Sequence, residues 1–381
     1  MKLAVSKQVS YPKVVSLDHH DGNIYMYAVD IETGEVLADC NLPGSNSAVI
    51  KHLHKIHAIP GQTIVTYEAG AAGFSPYRAF TKAGYACKII APTSIPHRAK
   101  RHKTDRADAI SNLEYYVSGL LKFVHVPSIE DEENRELLRL RYDLVYQITK
   151  LKQKILALLK RHDISYNLTK KNWTILHRRW LTTVAAPCTV RRVLDFMLGT
   201  FDALEAQLES LDKELDSVVS GNPRYAAISN LMQLIAGFGR VNAMTIAFEI
   251  QDFSRFAHPC ALMNYTGLIP GKHSSGKSDP SLKITKAGNT FLRIAYVGAA
   301  KSYRDRRLVR SAAVLKKQPP PIREFIERLQ DRLCNRYRHL MTNGKPSGKA
   351  KCAIARELCG FTWELATKIA PRMENSLPVA A

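Results

Sequence analysis

Four carboxylates in the first 110 residues have the types and spacing of a metal-binding site. Asp18 closes an apolar run that begins at Val14, and Glu68 closes another apolar run. Asp105 and Asp108 are three residues apart, so on a helix they lie on the same face. Carboxylate oxygens at strand ends, joined by an acidic pair on a helix, can surround a hard divalent cation. We therefore predict a Mg²⁺ site at these four residues, with Mn²⁺ as the alternative ion.

Such a site would perform phosphodiester chemistry. Crowded carboxylates repel one another, so four of them together are best explained by a compensating cation. Two ions about 4 Å apart can stabilise both the attacking and the leaving oxygen of a phosphodiester. Taken singly, each acid is as well explained as a solvated side chain, and Asp105 or Thr104 as a helix N-cap. Their order along the chain, at strand ends and on one helix, favours the metal site.

The composition points to a polyanionic partner. Lys and Arg number 55 against 34 Asp and Glu, which leaves a formal net charge of +21. Neutralising phosphates releases counterions, which drives the binding of basic proteins to nucleic acid. We therefore favour a nucleic-acid partner over the alternative that this is a soluble protein that happens to be basic. No apolar run of about 18 residues could span a membrane, and we see no secretory signal. The seven cysteines form no Cys-x-x-Cys pair, so we expect reduced thiols in a cytoplasmic protein.

The elements that must position the carboxylates occupy residues 1–126. Turn residues and alternating apolar residues predict three strands in a meander, after which helices and strands alternate. This order predicts an α/β, RNase H-like sheet. The predicted strands are 14–18, 23–29, 35–39, one ending at Glu68, and 86–90; the predicted helices are 47–57, 76–83 and one that begins near Thr104.

Residues 127–221 have a different pattern. Leucines recur every seven residues from Leu137 to Leu158, and a second apolar seam runs from Met197 to Val218. The heptad spacing predicts a coiled coil, either as an antiparallel hairpin within one chain or as a pairing between subunits. Simple amphipathic core helices are the alternative. Between the seams, residues 161–190 hold two tryptophans and a basic cluster, which indicates either a nucleic-acid contact or a packed insertion.

Residues 222–381 are predicted to be mainly helical, with two loops of interest. Gly237 and Gly239 could expose backbone N–H groups to a phosphate at a helix N-terminus, or could simply form a turn. The second loop, residues 270–289, is rich in Gly, Ser and Lys. A serine in this loop could attack phosphorus, although such loops also bind phosphate without catalysis. The cations placed to stabilise the developing charge would be Lys272, Lys277, Lys286 and Arg293.

These motifs together resemble the DEDD transposases of the bacterial insertion-sequence 110 family, including its 1111 subgroup, which are bridge-RNA-guided recombinases. The resemblance covers roughly residues 14–126 and 228–365. Its motifs are Asp18 at a strand end, Tyr-Glu-Ala-Gly, Lys-Thr-Asp-Arg-Ala-Asp-Ala, Ile-Ala-Gly-Phe-Gly-Arg-Val-Asn-Ala, Asn-Tyr-Thr-Gly-Leu-Ile-Pro, Ser-Ser-Gly and Ile-Thr-Lys-Ala-Gly-Asn. One departure is His19-His20-Asp21 after Asp18, where many members have Ser-Lys.

The resemblance implies a specific mechanism. The four carboxylates would bind Mg²⁺ in a RuvC-like domain, and Ser275, with Ser274 as the alternative, would attack DNA and form a covalent phosphoserine link. Each active site would be assembled from two subunits of a dimer or tetramer. A noncoding bridge RNA would select donor and target DNA. Lys103, Arg106 and Lys283 are further predicted nucleic-acid contacts.

The sequence therefore predicts an RNA-guided DNA recombinase of an insertion sequence with three domains: residues 1–126, 127–221 and 222–381. Two other functions stay open. One is a RuvC-like, Mg²⁺-dependent junction-resolving nuclease in which water attacks. The other is a nucleic-acid-binding protein without catalytic activity, whose acids are structural.

Overall fold

The computed structural model describes residues 10–20, 22–96, 104–271, 283–304 and 312–371. The chain divides into two compact units, Met1–Pro127 and Ser128–Ala381. The further division of the second unit at residue 221 stays a prediction. Within the described ranges, no helix is both long and apolar enough to cross a membrane.

The first unit is built on a mixed sheet of five strands in the order β3-β2-β1-β4-β5. β1 pairs antiparallel with β2 and parallel with β4, and β4 pairs parallel with β5. The predicted meander followed by alternating helices and strands is confirmed, with element ends shifted by a few residues. The strands are β1 (Lys13–His20), β2 (Asn23–Asp30), β3 (Val36–Pro43), β4 (Thr63–Glu68) and β5 (Ala86–Ile90).

Helices cover both faces of this sheet. Alternate residues of a strand point to opposite faces. Leu17 of β1 accordingly packs in the core with helices α1 (Asn46–Lys55) and α2 (Ser75–Lys82). Val14 packs on the other face, in the core that includes residues of α3 (Asp105–Val117). The polar residues that share the Val14 face of β1 are therefore on the same side of the sheet as α3.

The second unit begins with a helical hairpin. Helices α4 (Ile129–Arg161) and α6 (Cys188–Gly221) pack against each other and run antiparallel. Leu138 near the start of α4 packs in one cluster with Leu215 near the end of α6, and Ile155 packs in another with Leu194. The antiparallel hairpin within one chain is thus the arrangement that the structure shows, whereas a coiled coil stays a prediction.

Residues 161–190 are packed onto this hairpin. They contain α5 (Ile175–Thr183), whose His177 is fully buried and stacks on Trp180. The Arg178 side chain binds acidic residues of α6. The structure shows this segment packed, whereas a contact with nucleic acid stays a prediction.

The rest of the second unit is helical around one large core. α13 continues into a π-helical turn at Leu365–Ile369. The remaining helices are α7 (Pro223–Gln233), α8 (Arg240–Ile250), α9 (Pro259–Tyr265), α10 (Thr290–Ala299), α11 (Ala312–Lys316), α12 (Pro320–Thr342) and α13 (Ser347–Glu364).

Candidate metal centre and the stem of the serine loop

Asp18 and Glu68 lie side by side at one edge of the sheet. β1 and β4 run parallel, and their last registered pair is Leu17 with Tyr67, both fully buried in the same core. The next residue of each strand points to the opposite face, which is the face covered by α3. The parallel register therefore places Asp18 and Glu68 at neighbouring positions on the same face of the sheet.

The first turn of α3 brings the acidic pair to this edge. The Thr104 hydroxyl accepts a hydrogen bond from the backbone N–H of Ala107 and caps the helix. Asp105 and Asp108 both lie in the first turn, where the helix dipole favours negative charge. Thr104 is the N-cap, so capping does not account for the Asp105 side chain, which is available to the site.

His20 joins the two sets of carboxylates. Its Nε2 atom lies 3.2 Å from Asp18 Oδ2 and 3.2 Å from Asp105 Oδ1. Among the described residues, the three that place donor atoms within 4.8 Å of one another are Asp18, His20 and Asp105. Glu68, on the adjacent strand end, and Asp108, later in the same helical turn, border this group. The sequence interpretation missed His20, although its position two residues after Asp18 on a strand placed both side chains on one face.

The electrostatics of the group favour a cation. Burial raises the pKa of Asp18, the negative charges of Asp105 and Asp108 raise it further, and His20 partly offsets both effects. A carboxylate whose pKa is raised by burial and by neighbouring negative charges is stabilised in its ionised form when a divalent ion binds beside it. The donor set of two carboxylates and an imidazole fits such an ion.

His19 is not part of this group. Its ring packs edge-on against Tyr67, with the ring centroids 5.3 Å apart. Burial, together with the nearby His20, lowers the pKa of His19 to about 4, so its imidazole is neutral at physiological pH. Adjacent residues of β1 thus place one histidine against the core and the other at the carboxylates.

The predicted nucleic-acid contacts of the first unit are Arg106 and Lys103. The Arg106 guanidinium donates to both carboxylate oxygens of Asp39. The same carboxylate accepts a hydrogen bond from the Tyr25 hydroxyl. Arg106 therefore holds α3 to β3, and its contact with nucleic acid stays a prediction. Lys103 lies outside the described residues.

The predicted nucleophile also lies outside the described residues, but the segments on either side of its loop, residues 265–271 and 283–289, are described and are called the stem below. Ser274, Ser275, Lys272 and Lys277 belong to residues 272–282, for which no structure is described. On either side, the backbone N–H of Gly271 donates to the Lys283 carbonyl at 3.0 Å, and the N–H of Thr285 donates to the Ile269 carbonyl at 2.9 Å. These backbone bonds join the two ends of the loop.

Two glycines let the stem close tightly. A Cβ on Gly267 would lie 2.2 Å from the Ala287 carbonyl oxygen, and one on Gly288 would lie 2.2 Å from the Tyr265 carbonyl oxygen. Both residues also have positive φ, which glycine adopts without strain. The Lys286 side chain of this stem is exposed, as is that of Lys283, so both remain candidates for phosphate contacts.

The stem is anchored to a buried ion-pair network. Asn289 Nδ2 donates to Glu249 Oε2 at 2.7 Å, while its Oδ1 accepts from the backbone N–H of Leu292 and caps α10. Glu249 is fully buried, and the Arg139 guanidinium binds its two oxygens at 3.0 and 3.2 Å. Arg135, also buried, lies 3.7 Å from the same carboxylate. Sequence reasoning missed this network because its members lie on α4, α8 and the start of α10.

The Arg293 guanidinium forms two hydrogen bonds within the second unit. One guanidinium nitrogen donates to the Thr266 carbonyl at 3.0 Å, and another donates to Thr290 Oγ1 at 2.9 Å. Burial lowers its pKa from the ordinary value. The predicted phosphate contact of Arg293 therefore competes with contacts that hold the stem to α10.

The two glycines of the first C-terminal loop have different roles. Gly237 has a φ of +92°, and a Cβ there would lie 2.3 Å from the Ala299 carbonyl oxygen, so packing requires glycine at this position. Gly239 is exposed and precedes the first turn of α8. Phosphate binding by either glycine stays a prediction.

Two family models match the chain. A model described as the transposase IS116/IS110/IS902 family matches residues 229–314, and the model DEDD_Tnp_IS110, described as a transposase, matches residues 15–163. The transposase y4qE of Sinorhizobium fredii is 32% identical over 340 residues, which are 87% of this chain and 83% of that protein. The chain belongs to this transposase family.

Relatives named for specific insertion sequences support the same assignment. The transposase for insertion sequence element IS1533 of Leptospira borgpetersenii is 25% identical over 64% of this chain and 72% of its own length. The transposase for IS1111A of Coxiella burnetii is 27% identical over 62% of this chain and 65% of its own length. This transposase is therefore an enzyme that acts on DNA. The matched ranges contain the predicted carboxylates in one unit and the anchored stem in the other.

Proposed function

We propose that this transposase cuts and rejoins DNA for an insertion sequence through a covalent phosphoserine intermediate. The observation that carries the proposal is the convergence of Asp18 and Asp105, from a strand end and a helix start, with His20 between them. Its first unit would act as a RuvC-like domain, for which the mixed sheet provides the strand order. The residues that would hold Mg²⁺ or Mn²⁺ are Asp18, Glu68, Asp105 and Asp108.

The chemistry requires a nucleophile and a group that accepts the developing charge. Ser275 Oγ would form a bond to phosphorus as the bond from phosphorus to a DNA oxygen breaks, and the proton of the hydroxyl would pass to the leaving oxygen. A bound divalent ion would stabilise the negative charge on the phosphate oxygens. Because the phosphodiester bond is exchanged rather than hydrolysed, religation needs no nucleotide cofactor. Donor and target DNA would be selected by pairing with a noncoding bridge RNA.

Trapping of the covalent intermediate tests this mechanism. With cognate RNA, DNA and Mg²⁺, we expect a protein–DNA adduct that survives denaturation, and we expect Ser275→Ala to abolish it. Ser274→Ala is the matched control, one residue away in the same loop. We expect Asp105→Asn with Asp108→Asn to reduce adduct formation by about 10³-fold, equivalent to about 4 kcal/mol of barrier. Glu32→Gln, an exposed acid in the same unit, should leave it unchanged.

Each result distinguishes a different mechanism. An adduct in Ser275→Ala but not in Ser274→Ala would identify Ser274 as the nucleophile. Cleavage that persists in Ser275→Ala without any adduct would identify a nuclease in which water attacks. Full activity of the double carboxylate variant would exclude the metal centre. Adduct formation without RNA would show that the reaction does not require a guide RNA.

Mixing two inactive variants tests whether active sites are shared between subunits. Asp105→Asn keeps the serine and Ser275→Ala keeps the carboxylates. In a mixed oligomer with shared sites, one site combines the intact carboxylates of one chain with the intact serine of the other, so activity should return. If each site forms within one chain, the mixture stays as inactive as its components.

A further inference from the structure

The His20 imidazole lies where a third metal ligand would lie. Its Nε2 atom is 3.2 Å from both Asp18 Oδ2 and Asp105 Oδ1. Neighbouring ligands of an octahedral ion with bonds of about 2.1 Å are separated by about 3.0 Å. The two distances from His20 thus match those between adjacent ligands of one ion as well as those of a hydrogen-bonded histidine, and all three donor atoms lie within 4.8 Å of one another.

Among the residues that the structure describes, no other local group accounts for the position of His20. Within the described part of the chain, no lysine or arginine forms an ion pair with Asp18 or Asp105. The His20 side chain is about half exposed, at 49%, so packing against the core does not hold it in place. Its position on β1 and the carboxylates on either side of it determine where the imidazole lies.

We propose that His20 is a nitrogen ligand of the carboxylate metal centre and biases that centre towards first-row transition ions over Mg²⁺. This inference rests on the metal centre of the proposed function. Mg²⁺ binds almost entirely through oxygen, whereas imidazole suits transition ions, whose affinity for such a site rises from Mn²⁺ through Co²⁺. An all-oxygen set of carboxylates would lack this preference. His20 therefore determines which ion the transposase selects.

Direct binding of Co²⁺ and Mg²⁺ to the full chain, made without a polyhistidine tag, tests the proposal. We expect His20→Asn to weaken Co²⁺ binding by about tenfold or more, since a metal-ligand histidine is lost, and to change Mg²⁺ binding by less than about threefold. His54→Asn, an exposed histidine on α1, is the matched control and should change neither. Calorimetry for both ions and the visible absorption of bound Co²⁺ provide the measurements.

A spectroscopic measurement identifies the ligand itself. With Mn²⁺ bound, electron spin echo modulation from an imidazole nitrogen is expected in the wild type and in His54→Asn, and it should be absent in His20→Asn and His20→Ala. Nitrogen modulation that persists in both His20 variants would overturn the assignment. So would equal losses of Co²⁺ and Mg²⁺ affinity. If neither ion binds the wild type, the metal centre of the proposed function fails as well. If both ions bind equally well with and without His20, only the present inference fails.

Discussion

In the second unit, the Glu249 carboxylate is fully buried and is bound by Arg139 and Asn289, with Arg135 close by. In the first unit, Asp18 is also largely shielded, with a side chain 16% exposed, but its hydrogen-bond partner is a histidine, and the carboxylates of Asp105 and Asp108 add negative charge near it. A buried charge requires compensation, because desolvation is expensive. Glu249 receives that compensation from the protein, whereas in the proposed metal centre Asp18 would receive it from a cation.

Asp131 supports this contrast. Burial alone would raise its pKa, but hydrogen bonds from Tyr225, Ser128 and Arg224 together lower it below the ordinary value. The pKa of Asp18 moves in the opposite direction. The direction of the pKa shift thus separates a carboxylate that stabilises the fold from a carboxylate that the fold holds at an energetic cost, as is expected at functional sites.

The largest expected effect is on the Glu249 network. Glu249→Gln removes the negative charge and leaves Arg135 buried without it, which should cost about 3–5 kcal/mol of unfolding free energy. All three tryptophans (Trp173, Trp180 and Trp363) lie in the second unit, so urea unfolding followed by tryptophan fluorescence reports on this unit alone. Glu209→Gln, which removes an exposed pair with Lys213, is the control and should leave the midpoint unchanged. An unchanged urea midpoint in Glu249→Gln would show that the ion pairs of Glu249 do not stabilise the second unit, which would contradict the contrast with Asp18.

Metal addition should stabilise the first unit and not the second. At an ion concentration of 100 times the dissociation constant, binding adds about 2.7 kcal/mol to the free energy of unfolding. We expect slower hydrogen exchange in β1, β4 and the start of α3, with no shift in the tryptophan-monitored unfolding of the second unit. Asp18→Asn should abolish this protection. Equal stabilisation of both units would indicate ion binding elsewhere on the chain.

Asp131→Asn should destabilise the second unit in a pH-dependent way. Because the folded state lowers the pKa of Asp131 below its ordinary value of 3.8, its contribution to stability is complete above that pH and is lost as the pH falls through the folded value. We expect a loss of about 1–2 kcal/mol at pH 7, since hydrogen bonds to a buried carboxylate are weakened. The difference from the wild type should shrink below about pH 3.8, as measured by urea unfolding at a series of pH values.

Asp18→Asn should have the smallest effect and the opposite sign. The folded state raises the pKa of Asp18, so its ionised form costs stability, and this cost appears as the pH rises from 3.8 through the folded value. In the presence of a chelator, the variant should therefore be more stable than the wild type at pH 7, by no more than about 1 kcal/mol. Hydrogen exchange of β1 and thermal unfolding measure this gain. A clear loss of stability would show that Asp18 is a structural acid.

The elements of the first unit could be predicted because their patterns are local. Apolar alternation and turn residues indicated the strands, and Thr104 before an acidic turn indicated the start of α3. Heptad leucines indicated the two long helices, but they left open whether these pair within a chain or between chains. The structure shows the intrachain hairpin, in which Arg141 of α4 binds Asp212 of α6.

The remaining features depend on contacts between distant residues. Nothing near Glu249 in the sequence indicates Arg139, which lies 110 positions earlier and binds it. Similarly, Gly237 looked like a phosphate-binding glycine, but its main constraint is the close approach of Ala299. Such contacts arise when helices pack, and no periodic pattern encodes them.

By itself, the sequence determined which residues stand at strand ends and in the first turn of a helix, because strand alternation and helix capping are local properties of the chain. It therefore identified Asp18, Glu68, Asp105 and Asp108 as one set. Only the tertiary structure decided that His20 lies between Asp18 and Asp105, at 3.2 Å from each. The physical reason is that the distance from His20 to Asp105 depends on how α3 packs against β1, and the side chains in between determine that packing.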